Sequence, residues 1–276
     1  MLRLVSIGAI AVLCLAASGA GAFDDALYPD WRGQWTRMGG GSWDPAKPHG
    51  QEGAPLTREY QAVLDASLAD QERGGQGNDP GYRCQPHGMP RIMIAILPME
   101  IVVTPDATYV ALELFNQLRR IYTDGRDWPT HITPTSLGYS IGRWIDSNGD
   151  GRYDTLIAET RGLKGPRSYD SSGIPFHADG LTAIKERITL DRTNGNVLHN
   201  EVTTMDHALT RPWTVTRSYR RDPKAKAVWV ENFCSEDNHH VVIGSENYVV
   251  NGEGYLMPVR KDQPPPDLRR FTDSGK

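Results

Sequence analysis

Cysteine is scarce in this chain, and long runs of one charge are missing. Three cysteines in 276 residues are too few for a scaffold in which many crosslinks replace a core. Lysine plus arginine number 30 against 34 aspartates plus glutamates, for a net charge of −4. A mildly acidic chain without a basic stripe lacks the electrostatic footprint of nucleic-acid binding, so no nucleic-acid partner is expected. After the first two dozen residues, no apolar run approaches the ~20 residues of a membrane-spanning helix. Short catalytic signatures are missing too. There is no G-x-S-x-G nucleophile elbow, no H-E-x-x-H metal motif and no glycine-rich phosphate loop. No organic cofactor is evident.

What is present begins with a leader. Arg3 is the sole charge before Asp24, Leu4 to Ala17 is almost wholly apolar, and Ala20-Gly21-Ala22 supplies small residues at −3 and −1. This is the pattern of a secretory signal peptide over residues 1–22, cleaved before Phe23. The mature chain is then expected in the periplasm or outside the cell. Cys14 leaves with the leader, and Leu13 before it argues against a lipid anchor. Cys84 and Cys234 remain as an even pair in an oxidising compartment, where a disulfide between them is expected.

The mature chain of roughly 250 residues suits one large domain or two small ones. A single β-rich domain over 23–260 is expected, with a loose tail over 261–276 that contains Pro264-Pro265-Pro266. Thr57 and the spacing of Tyr60, Val63, Leu64 and Leu68 indicate a helix over about 57–73. From Ile92 the pattern changes to strands. Candidates are 92–97, 99–104, 107–115, 117–123, 137–145, 154–161, 182–191, 197–206, 213–221, 226–234 and 240–244. Turn signals such as Thr104-Pro105-Asp106 and Asn194-Gly195 separate them. Short connections favour antiparallel neighbours. The expected class is all-β, mainly antiparallel, with one N-terminal helix. An up-and-down barrel is preferred because closure removes sheet edges, and a β-sandwich is the alternative.

Alternation places several charges on apolar faces. Glu186 shares a face with Ile184, Ile188 and Leu190. Glu113 falls with Tyr109, Ala111 and Phe115, and Arg143 with Tyr139, Ile141 and Ile145. A buried charge must pair or line a wet cavity. Arg119 and Arg120 are adjacent in a strand and so point to opposite faces; only one can line a pocket, and arginine's planar fork suits a carboxylate or phosphate. Glu113, Arg119, Arg120, Tyr139, Arg143 and Glu186 are therefore candidate ligand contacts. Glu186 with His177 or Asp179 is a candidate acid–base set. Adjacent His239 and His240 diverge in a strand and read as surface residues.

The sharpest local motif is Asp146-Ser147-Asn148-Gly149-Asp150-Gly151-Arg152-Tyr153-Asp154. Oxygen side chains recur at positions one, three, five and nine, with glycine at six, as in calcium loops. Asp146, Asn148, Asp150, Asp154 and the carbonyl of Arg152 are the expected calcium ligands. Ile157 stands where an EF-hand has its bidentate glutamate, and strand patterns flank the loop, so the motif is closer to the compact loops of extracellular calcium proteins.

Taken as a set, several segments resemble a family of secreted bacterial proteins of unknown function. They are Cys84-Gln85-Pro86-His87-Gly88-Met89-Pro90-Arg91, the run Arg119-Arg120-Ile121-Tyr122-Thr123-Asp124-Gly125-Arg126, and Gly138-Tyr139-Ser140-Ile141-Gly142-Arg143-Trp144. Asp154-Thr155-Leu156, Glu186-Arg187, Arg211-Pro212-Trp213-Thr214 and Cys234-Ser235-Glu236-Asp237-Asn238 continue the match over most of the mature chain. Many members pass from this tryptophan directly to a Gly-Asp-Thr-Leu turn, so calcium would be a property of a subgroup. Gly33-Gln34-Trp35 is similar to the opening G-x-W of lipocalins, which implies a lipocalin- or calycin-like barrel with tryptophan at its floor. The helix and loop that follow depart from that layout.

Three readings follow. The chain is a binding or carrier barrel for a small, partly apolar ligand, or an acid–base isomerase, lyase or hydrolase, or a structural protein of the envelope. A cavity closed around paired charges favours the first. Convergence of His177 and Glu186 in a cleft favours the second, and a filled barrel the third.

Overall fold

A computed structural model describes residues 24–39, 53–94, 96–234, 239–244 and 246–269. The expected leader lies outside the described residues. Nine strands hydrogen-bond in chain order: β1 (Gln34–Arg37), β2 (Met99–Val103), β3 (Ala107–Leu112), β4 (Gln117–Tyr122), β5 (Tyr139–Ile145), β6 (Thr155–Arg161), β7 (Ala183–Leu190), β8 (Val197–Met205) and β9 (Trp213–Arg220). Strand β9 pairs back onto β1, so the sheet closes into a barrel. The fold is all-β and mainly antiparallel. The six-residue β7–β8 loop is held by Asp191, whose Oδ1 accepts from the N–H groups of Thr193 and Asn194 at 2.8 and 2.9 Å.

One junction differs. β4 and β5 run parallel and pair over two positions only, Ile121 with Ser140 and Tyr122 with Ile141. Parallel neighbours need a crossover rather than a hairpin, and residues 123–138 supply it. The helix α1 (Arg58–Glu72) starts at Thr57, whose Oγ1 accepts from Tyr60 N–H at 3.4 Å. A separate three-stranded sheet follows the barrel, formed by β10 (His240–Ile243), β11 (Glu246–Val250) and β12 (Leu256–Pro258). Gln263, within the expected tail, is buried against this sheet and donates to Asn247 O at 2.6 Å.

Two expected strands are corrected. Residues 91–94 form a 3₁₀ turn, not the start of a strand, and Arg91, Ile92, Met93 and Ile94 are all buried. Ile92, Met93 and Ile94 plug the barrel and have no solvent face to produce alternation, while Arg91 pairs with Asp79. Residues 226–234 hold no strand. They form an extended strap fixed by side chains: Gln34 Nε2 donates to Val228 O at 2.8 Å, and Trp229 Nε1 to Asn116 Oδ1 at 3.2 Å. Cys84 and Cys234 form a disulfide with Cα atoms 5.4 Å apart, joining the approach to the plug with the end of the strap.

The barrel interior is a packed core. At the end where β1 begins, Trp31 packs 4.6 Å from Trp144, and Trp35 Nε1 donates to Trp31 O at 2.8 Å. Arg221 lies over the Trp35 ring at 4.9 Å. The other end receives the 91–94 plug, over which α1 and the loops around 163–182 and 206–212 form a second apolar cluster with Leu64, Tyr169, Ile174, Phe176, Leu209 and Trp213. The void between Trp35, Met93, Leu112 and Tyr219 is about 10 Å³, at the limit of one water molecule.

Candidate functional site

Glu186 points into the barrel, as the flanking Ile184 and Ile188 imply, and it meets Arg119 there. Arg119 Nη1 donates to Glu186 Oε1 at 3.0 Å, and Nη2 contacts Oε2 to complete a bidentate pair. Asn200 Nδ2 donates to the same Oε1 at 2.9 Å, and Arg119 Nη2 donates to Thr160 Oγ1 at 3.0 Å. Both side chains are 1% exposed or less. A charge pair so enclosed needs this full set of partners to offset lost hydration. Beside it, burial and the Glu186 charge push the Tyr219 hydroxyl far above its ordinary range, and Tyr219 donates to Met93 O at 2.5 Å. Glu186 makes no hydrogen bond to His177 or Asp179; its partners are Arg119 and Asn200.

Other candidates fall elsewhere. Glu113 is buried, but it lies one residue past β3, and its Oε1 accepts from Val230 N–H at 3.0 Å to anchor the strap. The inward face of β3 is Thr108, Val110 and Leu112, so the expected grouping of Glu113 with Tyr109 and Ala111 is corrected. Arg143 is exposed, which corrects the expected inward face of β5. Ser140 and Gly142 are the buried residues there. The reason is space: a Cβ at Gly142 would lie 2.7 Å from Ile121 Cγ2. Small residues face in, and the bulkier Tyr139 and Ile141 face out.

The outward residues Arg120 and Tyr139 belong to one groove of about 310 Å³, lined by Leu118, Arg119, Arg120, Tyr122, Leu137 and Tyr139 among others. It lies at the junction where β4 and β5 pair over only two positions. At and beside its Arg120, Tyr122 and Tyr139 lining, rings and guanidinium groups stack on one another. Arg120 lies 5.1 Å from the Tyr109 ring centre and 5.8 Å from that of Tyr122. Tyr122 and Tyr139 are 5.0 Å apart, and Trp128 is 6.1 Å from Tyr139. Arg126 covers Tyr122 at 3.7 Å, and Arg161 covers Trp128 at 4.3 Å. The charges are unequally matched. Arg126 pairs with Asp124 and Arg161 with Glu159, each at 2.5 Å. The Arg126 hydrogen bonds hold the Asp124 carboxyl below the usual range. Arg120 has Tyr122 Oη at 3.4 Å and no carboxylate partner among the described residues. Arg119 directs its guanidinium to Glu186, so Arg120 is the cation the groove offers.

The 146–154 loop is exposed and joins β5 to β6. Asp146 Oδ1 accepts from Gly149 N–H at 2.7 Å and Oδ2 from Gly151 N–H at 2.8 Å. Asp150 Oδ1 accepts from Arg152 N–H at 2.9 Å, and Asp154 accepts from both the amide and hydroxyl of Ser147. Asn148 Oδ1 accepts from Asp150 N–H at 3.1 Å. The loop is thus a self-capped turn, and Gly151 takes a φ of +85° that suits glycine. Beside it an open cleft of about 870 Å³ reaches Asp191 on the β7–β8 loop and His199 in β8.

His177 and Asp179 do meet, on the loop before β7, and His207 joins them. The sequence offered no signal for His207, which lies 30 positions from His177 across two strands. No protein-family model and no curated protein sequence matches the chain.

Proposed function

We propose that this chain is an exported binding protein that seats a small, partly apolar anion in the groove between β4 and β5. The observation that carries the reading is Arg120, a cation set among Tyr109, Tyr122 and Tyr139 with no carboxylate partner among the described residues. Aromatic faces take up the apolar part of a ligand, and guanidinium takes its carboxylate or phosphate. The two motifs that build the groove, Arg119 to Arg126 and Gly138 to Trp144, also carry the resemblance to secreted bacterial proteins. The leader sequence and the Cys84–Cys234 disulfide support export.

The filled interior moves the ligand to the barrel wall, away from the enclosed cavity a lipocalin-type carrier would need. It also supports a second reading, a structural envelope protein whose surface makes contacts. Thermal-shift measurements with aryl carboxylates and uronic acids separate the two. The binding reading expects at least one class to stabilise the mature protein and Arg120→Ala to abolish that shift, whereas Lys185→Ala keeps it. If no compound shifts the wild type, or Arg120→Ala responds like the wild type, the groove is not the seat.

A further inference from the structure

The loops over the plugged end of the barrel carry a cluster that the groove does not use. Asp179 Oδ2 lies 3.2 Å from His177 Nδ1 and 2.5 Å from His207 Nδ1. The two imidazole rings are nearly perpendicular, at 82°, with centres 5.7 Å apart. Among the described residues, no other trio of His, Cys, Asp or Glu side chains brings its ligand atoms within 4.8 Å of one another.

Surface side chains can meet by chance, but these are held from below. Asp206 has a side chain only 1% exposed. Its Oδ1 accepts from His177 N–H and from Ala208 N–H, each at 2.8 Å. One oxygen therefore pins both backbone segments that carry the histidines. Asp206 Oδ2 accepts from the Thr182 hydroxyl at 2.5 Å, and Arg167 lies 3.7 Å away. Arg167 also donates to the His177 carbonyl at 3.2 Å. Asp179 is oriented by Leu181 N–H, which bonds Oδ1 at 2.9 Å and leaves Oδ2 toward the histidines. The Tyr60 ring of α1 lies 5.7 Å from the His177 ring. The Leu181 bond orients the carboxylate as outer-shell partners do in metal sites, while Asp206 and Arg167 fix the backbone that carries the histidines.

The donor set selects the ion. Two imidazole nitrogens and one carboxylate oxygen suit zinc, copper or nickel, whereas calcium and magnesium prefer oxygen-only shells. Ligand atoms ~2.0–2.1 Å from a tetrahedral zinc stand about 3.3 Å apart, close to the 3.2 Å between His177 and Asp179. To admit an ion, His207, with 64% of its side chain accessible, withdraws from its hydrogen bond to Asp179, and His177 Nδ1 releases the Asp179 N–H that it accepts at 3.1 Å. We propose that His177, Asp179 and His207 form a three-ligand site for a zinc-type divalent cation, with its remaining positions open to solvent.

The test is calorimetric titration of the mature, disulfide-intact protein with Zn²⁺, paired with Cu²⁺ electron paramagnetic resonance. One equivalent of zinc should bind, and the copper signal should show two nitrogen ligands. His177→Ala and His207→Ala should each weaken zinc by at least about tenfold, and the double variant should abolish the site. His207→Gln guards against misfolding, because its exposed side chain can change without disturbing Asp206; its metal-free melting temperature should match the wild type. His239→Ala/His240→Ala should bind as the wild type does. Absence of zinc binding by the wild type, wild-type affinity in the His177/His207 double variant, or loss of binding in the His239/His240 variant would overturn the assignment.

Discussion

Replacing Glu186 by glutamine removes one charge from the centre of the barrel and changes little in shape. In the wild type Glu186 takes two bonds from Arg119 and one from Asn200. Glutamine keeps one oxygen as an acceptor but presents an NH₂ group where the second oxygen stood, so donor faces donor. Arg119 is then a buried cation with only Thr160, Ser140 and the sulfur of Met93 beside the remaining amide oxygen. Breaking a buried ion pair from one side costs about 3–5 kcal/mol. For a domain of this size each kcal/mol moves the melting temperature by about 2–4 °C, so a fall of roughly 6–20 °C is expected. Lys185→Ala, on the outer face of the same strand, should stay within about 0.5 kcal/mol. The double replacement Arg119→Met/Glu186→Leu should recover most of the loss, because both charges leave together. The assay is thermal and urea unfolding of the chain without residues 1–22, followed by far-ultraviolet circular dichroism. Equal melting temperatures for Glu186→Gln and Lys185→Ala would refute the argument.

Three further outcomes are expected. Cys234→Ser, or reduction of the Cys84–Cys234 bridge, opens a 150-residue loop and should cost about 5 kcal/mol in the chain-entropy model; urea midpoints unchanged by reduction would contradict this. Burial, aided by the Arg91 charge, lowers the His87 imidazole to about 4, below its value of about 6.5 in an unfolded chain. The unfolded state therefore binds the extra proton first, and stability should fall by about 3 kcal/mol as pH drops through that window; an equal acid slope in His87→Asn would place the effect elsewhere. Calcium should bind the 146–154 loop weakly, at about 10⁻⁴ to 10⁻³ M. The gain in melting temperature should be small because the turn is already self-capped, and Asp150→Ala should remove it; identical melts with millimolar calcium and with chelator would leave only a solvated turn.

The barrel was legible where neighbours agree. Ile184, Ile188 and Leu190 around Glu186 leave one choice of inward face, and Asn194-Gly195 marks the hairpin that fixes the β7–β8 register. The pattern misleads where volume outranks hydropathy. In β5 the bulky Ile121 opposite Gly142 forces small residues inward, so Arg143 turns out. The 91–94 plug has no solvent face and hence no period. Strand β1 is only four residues long within a segment rich in tryptophan and glycine, and its long-range pairing with β2 and β9 identifies it. Of the candidate ligand contacts, Arg120 and Tyr139 share a groove because of the parallel β4–β5 junction, a long-range feature that alternation cannot report. His207 joins His177 through the backbone clamp of Asp206, again a tertiary effect without a local signature.

Native mass spectrometry of the chain without residues 1–22, purified without reductant, tests the proposed binding role most directly. The account predicts a small anionic adduct on the wild type that is absent from Arg120→Ala, whose far-ultraviolet spectrum stays unchanged. A bare wild-type mass, or an adduct that persists in Arg120→Ala, would contradict it.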